Sequence, residues 1–270
     1  MNNSSGHCTD NRLKKTIIAQ ISDSHLFADI NALHHGCNVY QNLCNIFAEL
    51  ATIPELHLIV FTGDLTQDHS PKSYQNFVLA FDRAVTEFGL TCPLYWLAGN
   101  HDDFSLLANN LVHPLIKADK VIELGSWRLR LIDSKSATPA GNVDIDKLQL
   151  MIPTVSKSQS LNTKHELLFT HHHPIDVGYF IDKHGLQNKT EFWQVINQCE
   201  AIKAICCGHI HQGLTLAASE NNNAPVYTCP ATSIQFDPKA DTVSPLPIGP
   251  GLRLLNLTLD GDIDTELRYL

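Results

Sequence analysis

The sequence predicts an α/β fold in which two packed, mixed β-sheets are flanked by helices. Short apolar runs alternate with longer amphipathic segments in the first half of the chain. The second half is richer in strand-like runs and ends in a hairpin across Asp260 and Gly261. With 270 residues, 43% of them hydrophobic, the chain is long enough to bury a large core. This alternation of short apolar runs with amphipathic segments, followed by strand-rich sequence, is typical of mixed sheets covered by helices.

The predicted strands are short runs rich in β-branched and aromatic residues and bounded by turn residues. They cover residues 16–22, 56–63, 93–99, 120–125, 127–133, 166–170, 203–207, 214–218, 225–229, 252–259 and 263–270. Amphipathic segments predict helices near 38–52, 71–88, 144–152 and 190–199. Ser70 and Pro71 are an N-cap and first-turn signal for the second helix. Residues 134–142, 153–164 and 237–251 are predicted as loops.

Composition and charge narrow the class of protein. The net charge of −9 disfavours a nucleic-acid partner, because the chain as a whole repels polyanions. No apolar stretch approaches the roughly 18 residues of a membrane span. We expect a disordered tail over 1–14 and a single domain over 15–270. The polar N-terminal segment and the absence of a C-x-x-C pair predict a cytoplasmic protein with reduced thiols, and a homodimer is an open alternative.

Polar side chains follow five of the predicted strands at the point where each strand ends. In chain order they are Asp23 and His25, Asp64, Asn100 and His101, His171, and His209 and His211. Because the carboxyl ends of strands in α/β sheets open onto a shared crevice, we expect these side chains to converge. Gly63, Gly99 and Gly208 precede three of the groups and would let the backbone turn and approach closely.

The expected ligand set contains two carboxylates, one amide and several imidazoles, but no thiolate. Such a set suits manganese, iron or zinc and argues against a structural cysteine zinc site. Seven ligands are too many for one ion but natural for two ions that share a carboxylate. Two metals about 3.5–4 Å apart can clamp the attacking and leaving oxygens of an in-line displacement. The sequence therefore predicts two divalent ions, with iron and manganese favoured and zinc compatible.

The ordered series D-x-H, G-D, G-N-H-D, H and G-H-x-H resembles the calcineurin-like metallophosphoesterases from about residue 16 to the end of the chain. Within it, "ISDSHLF", "FTGDLTQDHSPKSYQNF", "WLAGNHDDF", "THHHP", "CCGHIHQ" and "TSIQF" are similar to the bacterial class III cyclic-AMP phosphodiesterases. The resemblance implies a four-layer αββα sandwich. It also implies hydrolysis of a small-molecule phosphodiester, 3′,5′-cyclic AMP, to 5′-AMP through attack of a metal-bound hydroxide on phosphorus.

The resemblance also implies a role for each candidate residue. One metal would be bound by Asp23, His25, Asp64 and His211, and the other by Asp64, Asn100, His171 and His209, so that Asp64 bridges them. His101 would be the catalytic acid or, together with Asn100, a contact to the substrate phosphate. Among the three consecutive histidines at 171–173, His171 leaves the strand first, and alternation would turn His172 away.

Alternative functions are a phosphodiesterase for glycerophosphodiesters or 2′,3′-cyclic nucleotides, and a non-catalytic scaffold of the same fold. The Ser/Thr phosphoprotein phosphatases are disfavoured because "GDLTQDH" lacks their arginine and "GNHDD" lacks their glutamate.

Several other residues have ordinary interpretations. We expect His34 and His35 to cap the loop before the first helix, where they could also cover a substrate. The helical spacing of Tyr74, Phe77 and Phe81 predicts core packing rather than a base-stacking platform. The remaining histidines are expected on the surface or in ordinary packing: His57, His69, His113, His165 and His184.

Overall fold

The computed structural model describes residues 15–152, 164–219 and 223–270. Its first half contains β1 (Thr16–Ile21), β2 (Leu33–His34), β3 (Cys37–Asn38), α1 (Val39–Ala51), β4 (Leu56–Phe61), α2 (Pro71–Phe88), β5 (Leu94–Trp96), α3 (Phe104–Asn110), β6 (Ile116–Lys117), β7 (Val121–Leu124) and β8 (Trp127–Leu131). Its second half contains α4 (Ile145–Met151), β9 (His165–Thr170), a 3-10 helix (Phe180–His184), α5 (Lys189–Ile196), β10 (Ile202–Cys207), β11 (Thr215–Leu216), β12 (Val226–Thr228), β13 (Gln235–Phe236), β14 (Pro245–Leu246), β15 (Gly251–Leu257) and β16 (Ile263–Tyr269).

Two six-stranded mixed sheets form the centre of the molecule. The first has the order β16-β15-β1-β4-β5-β6, with β1, β4, β5 and β6 parallel and β15 antiparallel to β1. The second has the order β11-β12-β10-β9-β8-β7, with β8, β9, β10 and β12 parallel. The C-terminal hairpin β15–β16 is therefore hydrogen-bonded, through β15, to the first strand of the predicted 15–270 domain.

Alternation along the strands divides the buried side chains between two kinds of apolar layer. One face of each sheet contributes to a core between the sheets, which includes Ile18 and Val60 from the first sheet and Leu129 and Leu167 from the second. The opposite faces are covered by helices, α1, α2 and α3 over the first sheet and α4 and α5 over the second. The layers are therefore helix, sheet, sheet and helix, which confirms the predicted fold class.

Helix α2 shows how closely local signals can define an element. It begins at Pro71, as predicted, and the Ser70 hydroxyl accepts a hydrogen bond from the Ser73 amide. It ends before Gly89, whose φ of 74° lies in the left-handed region that favours glycine. Among the described residues, none of the helices is long and apolar enough to cross a membrane.

The structure departs from the sequence prediction in the loops. Asp103 caps α3 by accepting from the Leu106 amide, but α3 has only seven residues, too few for an amphipathic pattern. The predicted loop 237–251 contains β14, which pairs with β13, so that part of the prediction is wrong. The predicted tail 1–14 and nearly all of the predicted loop 153–164 lie outside the described residues.

Candidate active site

The structure brings all eight predicted site residues together at the carboxyl ends of five strands, three from the first sheet (β1, β4, β5) and two from the second (β9, β10). Six of them are buried: Asp23, His25, Asp64, His171, His209 and His211. Asn100 and His101 are half-buried and face a cavity. The site therefore lies where the carboxyl ends of the strands of both sheets meet.

Five of these residues have a left-handed backbone, which is uncommon for residues other than glycine. They are Asp23 (φ 56°), His25 (φ 45°), Asp64 (φ 57°), His209 (φ 68°) and His211 (φ 52°). A residue in this region costs on the order of 1–3 kcal/mol and persists only where surrounding contacts hold it. These sharp turns direct the side chains of residues that follow different strands towards a common point at the carboxyl ends of the sheets.

Glycines allow the strand ends to approach as closely as the sequence predicts. A Cβ atom on Gly99 would lie 2.1 Å from Asp64 Oδ1, and one on Gly208 would lie 2.0 Å from Ser22 Oγ. At Gly99 the added atom would also lie 2.4 Å from the Asp64 backbone nitrogen, so a larger residue there would displace Asp64, whereas one at Gly208 would displace the Ser22 and Asp23 side chains.

Asp23, His25 and His211 form a first cluster. His211 Nε2 lies 3.1 Å from His25 Nε2 and 3.5 Å from Asp23 Oδ1. The Nδ1 atom of His211 donates to the Ile234 carbonyl at 2.7 Å, and that of His25 contacts Gln67 Oε1 at 2.8 Å. Asp23 Oδ1 has no hydrogen-bond partner among the described residues.

Asp64, Asn100, His171 and His209 form a second cluster that adjoins the first through Asp64. The Nε2 atom of His171 lies 3.1 Å from Asn100 Oδ1, 3.2 Å from His209 Nδ1 and 3.4 Å from Asp64 Oδ2. That same oxygen of Asp64 lies 3.8 Å from His25 Nε2 in the first cluster. Asp64 Oδ2 therefore lies between the imidazoles of the two clusters.

The donor atoms in these clusters fit a cation. His171 Nδ1 lies 2.8 Å from the Thr62 carbonyl, which can only accept, so the proton of a neutral ring is on Nδ1. The lone pair on His171 Nε2 then faces the carboxylate and amide oxygens of Asp64 and Asn100. His211 is oriented in the same way by Ile234. Imidazoles that donate one nitrogen to a carbonyl and present the other are typical metal ligands.

The protonation states of the cluster residues also favour a bound cation. Burial acts against ionisation of Asp64, but His171 holds the pKa of this carboxyl well below its usual range. Burial likewise acts against a charge on His171, yet Asp64 raises the pKa of His171 to about 9. Burial lowers the pKa of His25 and of His209 well below the ordinary value. The carboxylate is thus ionised, and His25 and His209 are neutral, the form in which imidazole binds a metal. A cation at this point would replace the second proton that the raised pKa of His171 favours on its Nε2.

A comparison with known families decides the classification. The family model for calcineurin-like phosphoesterases matches residues 16–213. The chain belongs to this family. Membership together with the two adjoining clusters indicates a dinuclear metal site in a hydrolase of phosphate esters.

The relatives of this phosphoesterase include proteins named as cyclic nucleotide phosphodiesterases. A "probable cyclic nucleotide phosphodiesterase" of Colwellia psychrerythraea is 52% identical over 93% of this chain and 94% of its own. The "3′,5′-cyclic adenosine monophosphate phosphodiesterase CpdA" of Escherichia coli is 32% identical over 94% of this chain and 89% of its own. A dimetal phosphatase from Danio rerio has a TM-score of 0.61 at 11% identity, covers 93% of this chain and 98% of its own, and supports the fold.

The two histidines that follow His171 are engaged elsewhere. His172 directs Nδ1 to the Ser134 hydroxyl at 2.8 Å and Nε2 to the Pro139 carbonyl at 3.1 Å. His173 directs Nε2 to Asp182 at 3.2 Å. The ring of His172 still lies near His171 and His209, so all three offer an atom within metal-binding range of one another.

Sequence reasoning missed three residues that support the site from loops. Gln67 orients His25, as described above. Asp102 is buried and accepts hydrogen bonds from the amides of Leu65 and Gly99, which links two of the strand ends. His69 is exposed, as expected, and it also contacts the His101 carbonyl at 2.9 Å and stacks on the His101 ring. A sequence signal exists, because Gln67 and His69 follow Asp64 within one short turn.

A cavity of about 360 Å³ opens above the clusters. His34 and His35 line it from the β2–β3 hairpin, and the His34 ring lies parallel to that of His25 at 5.4 Å. The expected capping role of these two residues is wrong, because Asn38 caps α1. His184 also lines the cavity and is not an ordinary surface histidine.

Proposed function

We propose that this chain hydrolyses 3′,5′-cyclic AMP to 5′-AMP with the help of two divalent metal ions. The convergence of imidazole nitrogens and carboxylate oxygens at two adjoining points, beneath a cavity of nucleotide size, carries the proposal. Relatives named as cyclic-AMP phosphodiesterases that match over nearly the whole chain support the choice of substrate.

The proposed ligands follow the two clusters. Asp23, His25, Asp64 and His211 would hold one ion, and Asp64, Asn100, His171 and His209 the other. The oxygen and imidazole donors favour iron or manganese, with zinc compatible. When bound, two such ions supply a hydroxide nucleophile near neutral pH and offset the charge on the diester. The position of Asp64 Oδ2 between the imidazoles of both clusters supports a bridging role.

His101 is the proposed acid for the departing 3′-oxygen. Its backbone amide donates to Asp64 Oδ1 at 2.8 Å, and Lys135 Nζ donates to the carbonyl of the preceding Asn100 at 2.9 Å. These bonds fix the backbone and direct the ring towards the cavity. Its Nδ1 atom has no hydrogen-bond partner among the described residues. As the bond between phosphorus and the 3′-oxygen breaks, His101 would deliver the proton that oxygen requires, while Asn100 helps to hold the phosphate.

A panel of diesters tests the substrate class directly. Purified protein supplied with Mn²⁺ or Fe²⁺ would be assayed on 3′,5′-cyclic AMP, 3′,5′-cyclic GMP, 2′,3′-cyclic AMP and glycerophosphocholine, with chelated protein as the control. We expect the highest kcat/KM on a 3′,5′-cyclic nucleotide, with 5′-AMP as the product from cyclic AMP. A higher value on another diester would identify the alternative phosphodiesterase, and no turnover of any diester would favour a scaffold.

The cellular setting is part of the proposal. The cysteines in the described part of the chain are free thiols, which fits the reducing cytoplasm. The substrate would be a small phosphodiester, with no nucleic-acid or membrane partner. Light scattering of the purified protein would distinguish a monomer from the homodimer kept as an alternative.

A further inference from the structure

The cavity has an apolar wall in addition to its polar floor. Phe180, Ile181, Phe236 and Val243 line this wall. The ring of Phe236 is stacked on His211 at 3.8 Å and an angle of 8°, so the wall begins directly beside the first cluster. The ring of Phe180 lies 5.5 Å from that of Phe236.

The wall belongs to a small apolar core of its own. Ile181, Ile210, Ile234 and Phe236 are buried together, and Ile210 lies between the two histidines of the "GHIH" segment. Phe180 is half-buried and packs against this cluster. Of the two aromatic rings, Phe236 is 94% buried and already covered by His211, whereas Phe180 is only half-buried, with Lys183 Nζ 5.9 Å from its ring centroid, and is the more accessible ring for a bound molecule.

Hydrogen bonds hold the segment that carries Phe180 to the strand ends. The Tyr179 hydroxyl donates to the Ile210 carbonyl at 2.5 Å. Asp182 accepts from the amides of Val177 and Gly178 and contacts His173 Nε2 at 3.2 Å. The position of the Phe180 ring is therefore set relative to the clusters before a substrate binds, which limits the ordering cost of binding.

We propose that Phe180 forms the base-binding subsite of the cavity and stacks on the nucleobase of a mononucleotide diester. This inference rests on the proposed function, because it assumes that the phosphate lies over the two clusters. A flat aromatic face is suited to a nucleobase, whereas the glycerol or choline of a glycerophosphodiester presents no flat ring to stack on it. Stacking makes the base, and not only the phosphate, a determinant of affinity.

Equilibrium binding measurements test this subsite independently of catalytic turnover. Calorimetry on the manganese-supplemented protein would compare 5′-AMP with ribose 5-phosphate, which lacks the base. We expect the wild type to bind 5′-AMP about 5- to 150-fold more tightly, the range for one base stacked on an aromatic ring. Phe180→Ala should lose that preference while binding ribose 5-phosphate as the wild type does.

Two further variants act as controls. Phe180→Tyr keeps an aromatic face and should retain the preference, and Phe88→Ala removes an exposed phenylalanine at the end of α2 and should change neither affinity. Equal binding of the two ligands by the wild type, or an unchanged preference in Phe180→Ala, would overturn the subsite. Failure of the proposed function would appear instead as absence of cyclic-AMP turnover by the wild type.

Discussion

The Nε2 atoms of His25 and His211 lie 3.1 Å apart, although no proton can be shared between them when both rings are neutral. Each ring directs its Nδ1 to an oxygen, Gln67 Oε1 for His25 and the Ile234 carbonyl for His211. Both Nε2 atoms are then acceptors, and Asp23 adds a carboxylate oxygen 3.5 Å from His211 Nε2. A cation would turn this repulsion between lone pairs into ligation.

Metal removal should therefore destabilise the fold. A ligand that binds only the folded state stabilises it by about 2.7 kcal/mol at a hundredfold excess over its Kd. We expect Tm to fall by several degrees when EDTA is added and to recover when Mn²⁺ is restored in excess. Differential scanning fluorimetry measures both changes. Identical melting curves with and without chelator would contradict the metal-binding interpretation of the clusters.

Asp64→Ala should remove both ions, because Asp64 Oδ2 lies near the imidazoles of both clusters. His25→Ala should chiefly weaken binding of one ion, since His25 is a proposed ligand of the first ion only. Elemental analysis of the purified proteins would measure the metal content. Asp82→Ala is a matched control, because Asp82 pairs with His113 on the surface, 3.4 Å away. Two ions per chain in Asp64→Ala would refute the bridging role.

The convergence of the strand-end residues was predictable because parallel strands share one carboxyl edge, and the sequence shows which polar residue follows each strand. Phe180 was not predictable in the same way. It reaches the cavity from a 3-10 helix, whose position depends on long-range contacts such as the bond between Tyr179 and Ile210.

The backbone conformation of the site residues could also not be predicted from the sequence. Glycines before Asp64 and His209 signalled tight turns, but nothing in the sequence indicated that both residues would themselves have positive φ values. Such conformations arise because several hydrogen bonds hold them at once. The His209 amide, for example, donates to Asp23 Oδ2, a residue 186 positions away in the chain.

The three consecutive histidines should behave differently when each is changed to glutamine. His171→Gln should lose metal and activity, because its Nε2 faces Asp64 and Asn100. His172→Gln should retain metal, because both ring nitrogens of His172 are engaged by Ser134 and the Pro139 carbonyl. His173→Gln should also retain metal. Elemental analysis with circular dichroism would separate metal loss from unfolding, and an empty second site in folded His172→Gln would show that the ligand assignment is wrong.

His101 differs from the predicted ligands because its backbone, not its ring, is bonded to Asp64. His101→Ala should therefore keep both ions but lose about 10²–10⁴-fold in kcat on cyclic AMP, whose alkoxide leaving group needs a proton. The loss should be smaller on bis(p-nitrophenyl) phosphate, because p-nitrophenolate departs readily without protonation. Steady-state kinetics on both substrates, with metal content measured in parallel, would test this. Equal losses would mean that His101 binds phosphate rather than donating a proton, and full activity on both would remove it from the mechanism.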